Sequence, residues 1–262
     1  MEINSQIILK KTNGIEYLQF KRLLEYNIKH AYALKADNLN FRSDCDLEKD
    51  SFFKLYNAVG LDISTFVKPL QKHTGNVRCI SKVYSKKELP YIDGLITDQK
   101  NITLTTTNAD CILMLAYDPK KKVIANVHSG WKGTYQKVIE RTILKMIKNY
   151  KCKPKDIECF ICPSIRKCHF EVSEDVKELC ENIFSFIPNK DKFIIKGDIK
   201  NGEQKYFIDT IYINKYLLME LGIKEENIID SEICSVCNSD KINSYRADGE
   251  DFKLSAAIIS LS

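Results

Sequence analysis

The stretch TNADCILMLAYDPKKKVIANVHSGWKGT, residues 107–134, predicts a β-hairpin with a cysteine at the start of one arm and a histidine at the end of the other. Residues 112–117 form an apolar run, and residues 123–127 form a second, partly β-branched run. Asp118 and Pro119, followed by three lysines, are typical of the turn between two such strands. The stretch therefore indicates antiparallel sheet in the middle of the chain.

Pairing Tyr117 with Lys122 beside the turn places Cys111 opposite His128. Cross-strand neighbours of this kind have Cβ atoms roughly 4.5–5.5 Å apart, on one face of the sheet. A thiolate and an imidazole at that separation suit a zinc ion. The same pair also suits a cysteine hydrolase, with Cys111 as nucleophile, His128 as base and Asp110 as the orienting carboxylate. The spacing alone leaves both chemistries open.

Histidine is scarce in this chain, which narrows the search for further metal ligands. A catalytic zinc site uses three protein ligands and leaves a fourth position open. Besides His128, the chain has His30 before an apolar pair, His73 in a polar turn, and His169 beside Cys168. Four histidines are far fewer than a multicopper oxidase needs for its copper ions, so that class is excluded. A single copper ion, with Met114 as a weak axial ligand, stays an alternative.

Two C-x-x-C pairs give a competing prediction for a metal. Cys159 with Cys162, and Cys234 with Cys237, are half-sites typical of a structural zinc bound by four cysteines. Such a site would make the chain a non-enzymatic, zinc-stabilised binding module. The long separation of the pairs, and the position of Cys159 in an apolar strand, favour buried thiols that act as small apolar side chains.

The composition is that of a globular protein without a membrane or nucleic-acid partner. Of 262 residues, 44% are hydrophobic and 29% charged, and no apolar run approaches the ~20 residues of a membrane span. The net charge of +5 is spread along the chain, with lysines beside turns rather than in a basic stripe. The N-terminus shows no secretory signal, so we expect a cytoplasmic protein whose ten cysteines are mostly reduced.

The order of predicted elements favours an α+β fold, with mixed β-sheets layered with helices. The absence of repeats and linkers predicts a single domain over residues 1–262. The remaining elements predicted from apolar periodicity are strands at 6–9, 17–20, 77–83, 102–107 and 157–161, helices at 48–59, 134–150, 172–186 and 211–221, and a strand or helix at 256–261.

Several segments resemble the signature segments of the YfiH/laccase-domain family. They are NADC at 108–111, VHSGWKGT at 127–134 and SYRADG at 244–249, with further likeness at 93–97, 168–172, 205–209 and 233–238. Members of this family are described as purine nucleoside phosphorylases with adenosine deaminase activity, and under an older name as polyphenol oxidoreductases. The resemblance implies a fold of the YfiH-like type.

The resemblance implies a zinc site made of His73, Cys111 and His128. Phosphate would attack C1′ of adenosine, inosine or S-methyl-5′-thioadenosine and release the base and ribose 1-phosphate. The same metal would serve the deamination of adenosine. Asp110 is then a proton shuttle, or it orients one of the metal ligands without binding the metal itself.

The resemblance also implies cationic residues for the phosphate. Lys35 and Arg246 fall on such positions by resemblance and charge. Lys35 and Lys132 stand where the family usually has arginine, and the glycine pair that usually follows Lys35 is missing. Lysine keeps the charge but lacks the planar fork with which arginine binds phosphate through two hydrogen bonds.

Overall fold

A computed structural model describes residues 3–43 and 47–261 as three β-sheets flanked by helices. The strands are β1 Ile7–Thr12, β2 Ile15–Phe20, β3 Lys29–Ala33, β4 Phe66–Val67, β5 Val77–Cys79, β6 Gly94–Thr97, β7 Thr103–Asn108, β8 Ile112–Asp118, β9 Val123–Ser129, β10 Glu158–Ile161, β11 Glu171–Val172, β12 Ile194–Lys200, β13 Glu203–Ile208, β14 Ile228–Asp230 and β15 Ser255–Ser260. The α-helices are α1 Lys21–Glu25, α2 Glu48–Val59, α3 Trp131–Tyr135, α4 Val138–Tyr150, α5 Glu174–Ile183, α6 Thr210–Glu220 and α7 Tyr245–Asp248.

The sheets mix parallel and antiparallel strands. One six-stranded sheet has the order β1-β2-β3-β15-β7-β4, the other has the order β14-β10-β8-β9-β6-β5, and a three-stranded sheet has the order β11-β13-β12. The pairs β4–β7, β5–β6 and β10–β14 are parallel, and the hairpin β8–β9 is antiparallel. This arrangement, with helices against the sheets, confirms the predicted α+β class. Residues 256–261, for which strand and helix were both open, contribute to the inner strand β15.

The predicted hairpin lies in the interior of the second sheet, with both faces buried. Leu113, Leu115 and Tyr117 point into an apolar core shared with the first sheet. Their neighbours Ile112 and Met114 point the other way, into a core shared with α4 and α6. Because both faces are covered, β8 is a continuous apolar run rather than an alternating one.

The hairpin forms, but the predicted register is wrong by two residues. Asp118 pairs with Val123, and His128 pairs with Leu113 rather than with Cys111. The reason is the side chain of Asp118, whose Oδ1 accepts hydrogen bonds of 2.9 Å from the backbone amides of Lys120 and Lys121. This Asx turn makes Asp118 the last residue of its strand, so the four-residue loop comprises residues 119–122 instead of 118–121. Since side chains alternate with a period of two, this shift leaves Cys111 and His128 on one face.

The helix predictions differ in accuracy. Helix α2 has the predicted bounds and ends at Gly60, whose φ of +69° favours glycine. The helix predicted over 134–150 is divided, because Lys137 has a φ of +57° and interrupts the helical backbone between α3 and α4. Val172 was assigned to a helix but pairs with Tyr206 in the three-stranded sheet.

Across the described residues, none of the helices has the length and apolarity that spanning a bilayer requires. The single domain over residues 1–262 and the cytoplasmic location stay predictions.

Candidate metal centre and its cavity

The structure brings together the three residues that the resemblance implied as metal ligands. His73 lies in the turn before β5, Cys111 directly precedes β8, and His128 lies near the end of β9. Their ligand atoms all lie within 4.8 Å of one another. The Cys111 Sγ is 3.7 Å from His73 Nε2, and the two imidazole rings meet edge to face with centroids 4.9 Å apart. Three soft-to-borderline donors therefore converge on one point.

A buried carboxylate that the sequence analysis did not single out orients His128. Asp93 is fully buried, and its Oδ1 lies 2.8 Å from His128 Nδ1. This hydrogen bond makes Nδ1 the protonated nitrogen and leaves Nε2 as the donor to a metal. The pairing of Gly94 with Val127 places their neighbours Asp93 and His128 side by side, and local sequence patterns do not report this pairing.

The same carboxylate shapes the turn that carries His73. Asp93 accepts hydrogen bonds from the backbone amides of Lys72, His73 and Thr74, at 3.3, 3.1 and 2.7 Å. His73 has a φ of +57°, a conformation that costs energy in a non-glycine residue unless its surroundings hold it. Gln71 fastens the turn to β7, since its side-chain amide donates to Thr107 O and accepts from Thr107 N, both at 2.8 Å. One carboxylate thus supports two of the three ligands.

The electrostatics of the site favour the thiolate. Burial opposes ionisation of Cys111, but His128 and His73 lower the pKa of its thiol to about 6. Burial also opposes the charged form of His128, whereas the Cys111 sulfur and Asp93 raise the pKa of its imidazole. The thiolate is the form that binds zinc and also the form that attacks carbonyls. Cys111, His128 and Asp93 have the arrangement of a nucleophile, a base and an orienting carboxylate, so the cysteine hydrolase alternative keeps a geometric basis. The carboxylate beside His128 is that of Asp93 and not that of the predicted Asp110, whose oxygens bind Ser235 and the Arg246 amide.

These residues fit a zinc ion on the chemistry of their donor set. One thiolate and two imidazole nitrogens are ligands that zinc prefers, and a set of three leaves a fourth position for a substrate or water. The hydrogen bond from His128 to Asp93 is the support that metal-binding histidines usually have. Met114 does not join the group, because it is buried in the core beneath α4. The predicted axial ligand of a copper site is therefore wrong.

The ligands line a cavity of about 610 Å³. This volume lies within the ~300–1,000 Å³ typical of small-molecule sites. The aromatic residues of its wall are Trp131, Phe170, Tyr245 and Phe252, and its cationic residues are Lys68, Lys86 and Arg246. Apolar ring faces, a few charges and a metal centre suit a small ligand with both an aromatic and an anionic part.

Asp110 lines the cavity, but both of its carboxylate oxygens are already bound. Ser235 Oγ donates to Oδ1 at 2.6 Å, and the backbone amide of Arg246 donates to Oδ2 at 2.7 Å. The backbone of Asp110 has a φ of +82°, and its carbonyl accepts from Ile165 N at 2.8 Å. These bonds fix the turn into Cys111, so they favour a positioning role over proton transfer.

Of the two residues predicted to bind phosphate, only Arg246 lines the cavity. Its guanidinium donates to the carbonyl oxygens of His169 and Glu171, at 3.0 and 3.1 Å, which leaves its charge without a carboxylate partner among those bonds. Lys35 Nζ instead forms an ion pair with Asp248 and donates to Ser239 O. Lys35 is absent from the described cavity wall, so its predicted contact with phosphate is not supported.

The two C-x-x-C pairs do not meet. Cys159 is buried in the core beneath α4, and Cys162 is buried between the two large sheets, as expected for positions three apart on a strand. The four-cysteine site is therefore wrong, and the prediction of buried apolar thiols holds for this pair. Cys234 and Cys237 instead lie beside Cys168 and His169.

His30, the remaining histidine, is fully buried. Its Nε2 accepts from Phe20 N at 2.8 Å, and its Nδ1 lies 2.9 Å from Ile28 O. Burial lowers the pKa of this imidazole to about 4, so it is neutral at physiological pH. His30 is a hydrogen-bonded core residue.

We expect Asp93→Asn to weaken zinc binding about 10–100-fold, which is the usual effect of losing a carboxylate behind a metal-binding histidine. The amide keeps the shape of the side chain but cannot accept at both of the atoms that now bind His128 and the 72–74 turn. Competition with a chromogenic chelator measures the affinity. Asp98→Asn, an exposed site just after the same strand, is the matched control and should bind zinc like the parent chain.

The fold and the site define a protein in which three side chains of metal-binding type converge in a cavity of small-molecule size. The family model described as multi-copper polyphenol oxidoreductase laccase matches residues 44–262, and the chain belongs to that family. The family resemblance seen in the sequence is thereby confirmed. The four histidines, of which His30 is a core residue, still fall far short of a multicopper site.

Curated relatives in the family carry a name different from the family description. A Clostridium acetobutylicum protein named purine nucleoside phosphorylase is 29% identical over 250 residues, which cover 92% of this chain and 94% of that protein. The Mus musculus protein named purine nucleoside phosphorylase LACC1 is 31% identical over 212 residues, or 79% of this chain and 46% of LACC1. The chain thus spans about half the length of the mammalian relatives it matches.

Solved structures support the fold. The Bacillus licheniformis protein YfiH superposes with a TM-score of 0.84 at 21% identity, over 96% of this chain and all of that one. YlmD from Geobacillus stearothermophilus superposes with a TM-score of 0.80 at 18% identity, over 97% of this chain and 98% of that one. At these identities the likeness establishes the architecture alone.

Proposed function

We propose that this chain is a zinc-dependent purine nucleoside phosphorylase. Phosphate would form a bond to C1′ of adenosine, inosine or S-methyl-5′-thioadenosine while the bond from C1′ to the purine nitrogen breaks. The products would be the free base, which takes up a proton, and ribose 1-phosphate or its methylthio analogue. The observation that carries the proposal is the convergence of His73, Cys111 and His128 on one cavity. The names of the relatives support the choice of substrate class.

The metal would be held by the Nε2 atoms of His73 and His128 and by the Sγ of Cys111. When bound, zinc supplies a Lewis acid with an open position, which can polarise a phosphate or substrate oxygen. Asp93 keeps His128 in the tautomer that this requires and holds the His73 turn in its strained conformation. The protein therefore fixes the ligands before the metal arrives, so little reorganisation accompanies binding.

The aromatic wall suits the purine. Trp131 and Phe170 are half-buried, Tyr245 is 56% exposed, and all three line the cavity. A planar base stacked on such rings leaves water with its apolar faces covered and its polar edge free to hydrogen-bond. The rings would hold the base while the sugar lies towards the metal centre.

Arg246 is the cation best placed for phosphate. Lys68 and Lys86 also line the cavity, but both lie near the carboxylate of Glu48, which offsets their charge. The Arg246 guanidinium is anchored by two carbonyl groups and retains its positive charge. The backbone amide of Arg246 also donates a hydrogen bond to Asp110, the residue before Cys111. The residue proposed to bind phosphate therefore also stabilises the turn that positions Cys111.

We extend the proposal to adenosine deamination, which the family resemblance implies as a second reaction of the same site. A cysteine hydrolase is the second candidate, favoured by the order Cys111, His128, Asp93. The hydrolase and the phosphorylase differ in their need for metal. A thiolate nucleophile reacts without zinc, whereas the proposed phosphorylase requires it. A single bound copper ion, as in a polyphenol oxidoreductase, would be recognised by metal analysis of the purified protein.

The test is product analysis. Purified zinc-loaded protein is incubated with adenosine and phosphate, and the products are separated by chromatography. Adenine with an equal amount of ribose 1-phosphate is expected, and inosine with ammonia reports deamination. Absence of all these products above a Cys111→Ala control would contradict the proposal.

We expect Arg246→Gln to raise KM for phosphate about 10- to 150-fold, since one charge-assisted hydrogen bond is worth about 1.5–3 kcal/mol. KM for the nucleoside should change little, and initial rates at varied phosphate measure both. Lys35→Met is the matched control. It removes a half-buried ion pair with Asp248, so it should lower the free energy of unfolding by about 1 kcal/mol without changing KM for phosphate.

A further inference from the structure

A second group of metal-binding side chains lies outside the cavity. Cys168 and His169 come from the segment before β11, and Cys234 and Cys237 come from the C-x-x-C segment after β14. The Cys168 Sγ lies 3.6 Å from Cys234 Sγ and 3.8 Å from Cys237 Sγ. His169 Nδ1 lies 3.2, 3.7 and 3.5 Å from the sulfurs of Cys168, Cys234 and Cys237.

These separations match the edges of a tetrahedron around zinc. Bonds of about 2.3 Å to sulfur and 2.0–2.1 Å to nitrogen place tetrahedral sulfurs about 3.8 Å apart and sulfur and nitrogen about 3.5 Å apart. The observed values scatter around both figures. A disulfide would instead bring two sulfurs to about 2.05 Å, and it would not account for the third thiol and the imidazole beside them.

The backbone holds the two segments in register. Ser164 and Cys234 form a parallel bridge, in which Ser164 N donates to Ile233 O and Ser235 N donates to Ser164 O, at 3.2 and 3.0 Å. Asn238 N donates to Cys234 O at 3.2 Å, which closes the C-x-x-C turn. The four donors are thus presented by a hydrogen-bonded framework rather than by free loop ends.

Backbone amides surround the Cys234 sulfur. Those of Cys237, Arg166 and Val236 hydrogen-bond to it. Amides that point at a sulfur stabilise its negative charge, as they do around metal-bound thiolates.

We propose that Cys168, His169, Cys234 and Cys237 bind a second, structural zinc ion. Four protein ligands close the coordination shell, so this ion has no open position and serves folding rather than chemistry. Ser235, between the two cysteines of the C-x-x-C pair, donates to Asp110 beside Cys111. Arg246 donates to the carbonyl of His169. The second zinc would therefore fix the segments that hold Asp110 and Arg246 at the cavity.

Counting metal ions tests this proposal. Native mass spectrometry, which weighs the folded chain, and elemental analysis should find two zinc ions in the parent protein. Cys168→Ser combined with Cys237→Ser, both at exposed positions, should leave one, and Cys111→Ala should also leave one. Cys79→Ser, at a thiol outside both groups, is the control and should keep two. An unchanged count in the double variant overturns the proposal, as does iron in place of zinc. A single zinc in the parent chain that is lost in Cys111→Ala and kept in the double variant also overturns it, whereas the reverse pattern would contradict only the metal site of the cavity.

Cobalt substitution gives a second readout with all four ligands intact. The Cys111→Ala chain, reconstituted with Co²⁺, should show intense visible bands of tetrahedral cobalt and strong thiolate-to-metal charge transfer. Neither depends on catalytic activity, and neither depends on whether the double variant folds. Octahedral cobalt bands without thiolate charge transfer would overturn the proposal.

Discussion

Cys111→Ala is expected to reduce kcat/KM for phosphorolysis by about 10³-fold or more and to release the zinc of the catalytic cavity. The substitution removes the only thiolate of the His73–Cys111–His128 group. Loss of a Lewis acid that contributes several kcal/mol to the transition state corresponds to a rate effect of this size. Steady-state rates with adenosine and phosphate, together with the zinc content of the same sample, measure both effects.

A control variant shows whether the effect is specific to Cys111. Cys79→Ser changes a half-buried thiol outside the site and should retain parental activity. Cys111→Ala protein that kept its zinc at this site and its full rate would contradict the assigned role. A variant that lost all activity while keeping its zinc would instead favour Cys111 as a nucleophile.

Gly130→Ala should weaken zinc binding by at least about 100-fold and reduce phosphorolysis in parallel. A methyl group at this position would lie 2.6 Å from His73 Cδ2 and 2.9 Å from Cys111 Sγ, closer than atoms approach without displacement. Both neighbours belong to the proposed ligand set, so either movement would take a donor atom away from the metal position. We expect displacement of a ligand to reduce metal affinity at least as much as loss of a residue that supports a ligand, which typically costs about 10–100-fold. The glycine has a φ of −68°, so the backbone itself accepts alanine.

Gly133→Ala provides the matched control for this prediction. It lies three residues further along the same segment, and its new methyl group would lie 3.3 Å from Val138 Cγ1, a side chain that can move. We expect near-parental zinc affinity and activity. If isothermal titration gave Gly130→Ala the affinity of the parent chain, the ligand positions described above would be wrong.

The hairpin shows why sequence reasoning could locate two ligands despite an error in register. The apolar runs identified both strands, and the period of two preserved the face on which Cys111 and His128 lie. The position of the four-residue loop depends on hydrogen bonds that the Asp118 side chain accepts from Lys120 and Lys121, which apolar patterning does not report. The register of the two strands was therefore predictable only to within two residues.

Asp93 marks the limit of reasoning from local patterns. It was visible as the first residue of the segment DGLIT, yet its role depends on the pairing of β6 with β9 and on a turn 20 residues earlier. Lys35 shows the reverse. Its charge indicates a residue that binds phosphate, but in the structure Lys35 forms an ion pair with Asp248, which is distant in the sequence and cannot be predicted from local patterns.

The sequence indicates half of the proposed second metal site. The spacing of Cys234 and Cys237 is typical of a zinc half-site, and the same motif at Cys159 and Cys162 predicts the wrong partner. In the structure Cys168 and His169, an adjacent pair from a loop, lie beside Cys234 and Cys237 instead. Spacing rules describe one segment, whereas a metal site assembled from two segments depends on how the sheets bring loops together.

Metal removal and restoration tests the central claim most directly. Zinc is stripped from the wild-type protein with a strong chelator, the folded state is verified by circular dichroism, and adenine release from adenosine and phosphate is followed while zinc is returned. The account predicts that activity disappears with the metal and returns with added zinc in the parent chain but not in His73→Ala. Full phosphorolysis by the metal-free, folded protein would contradict it.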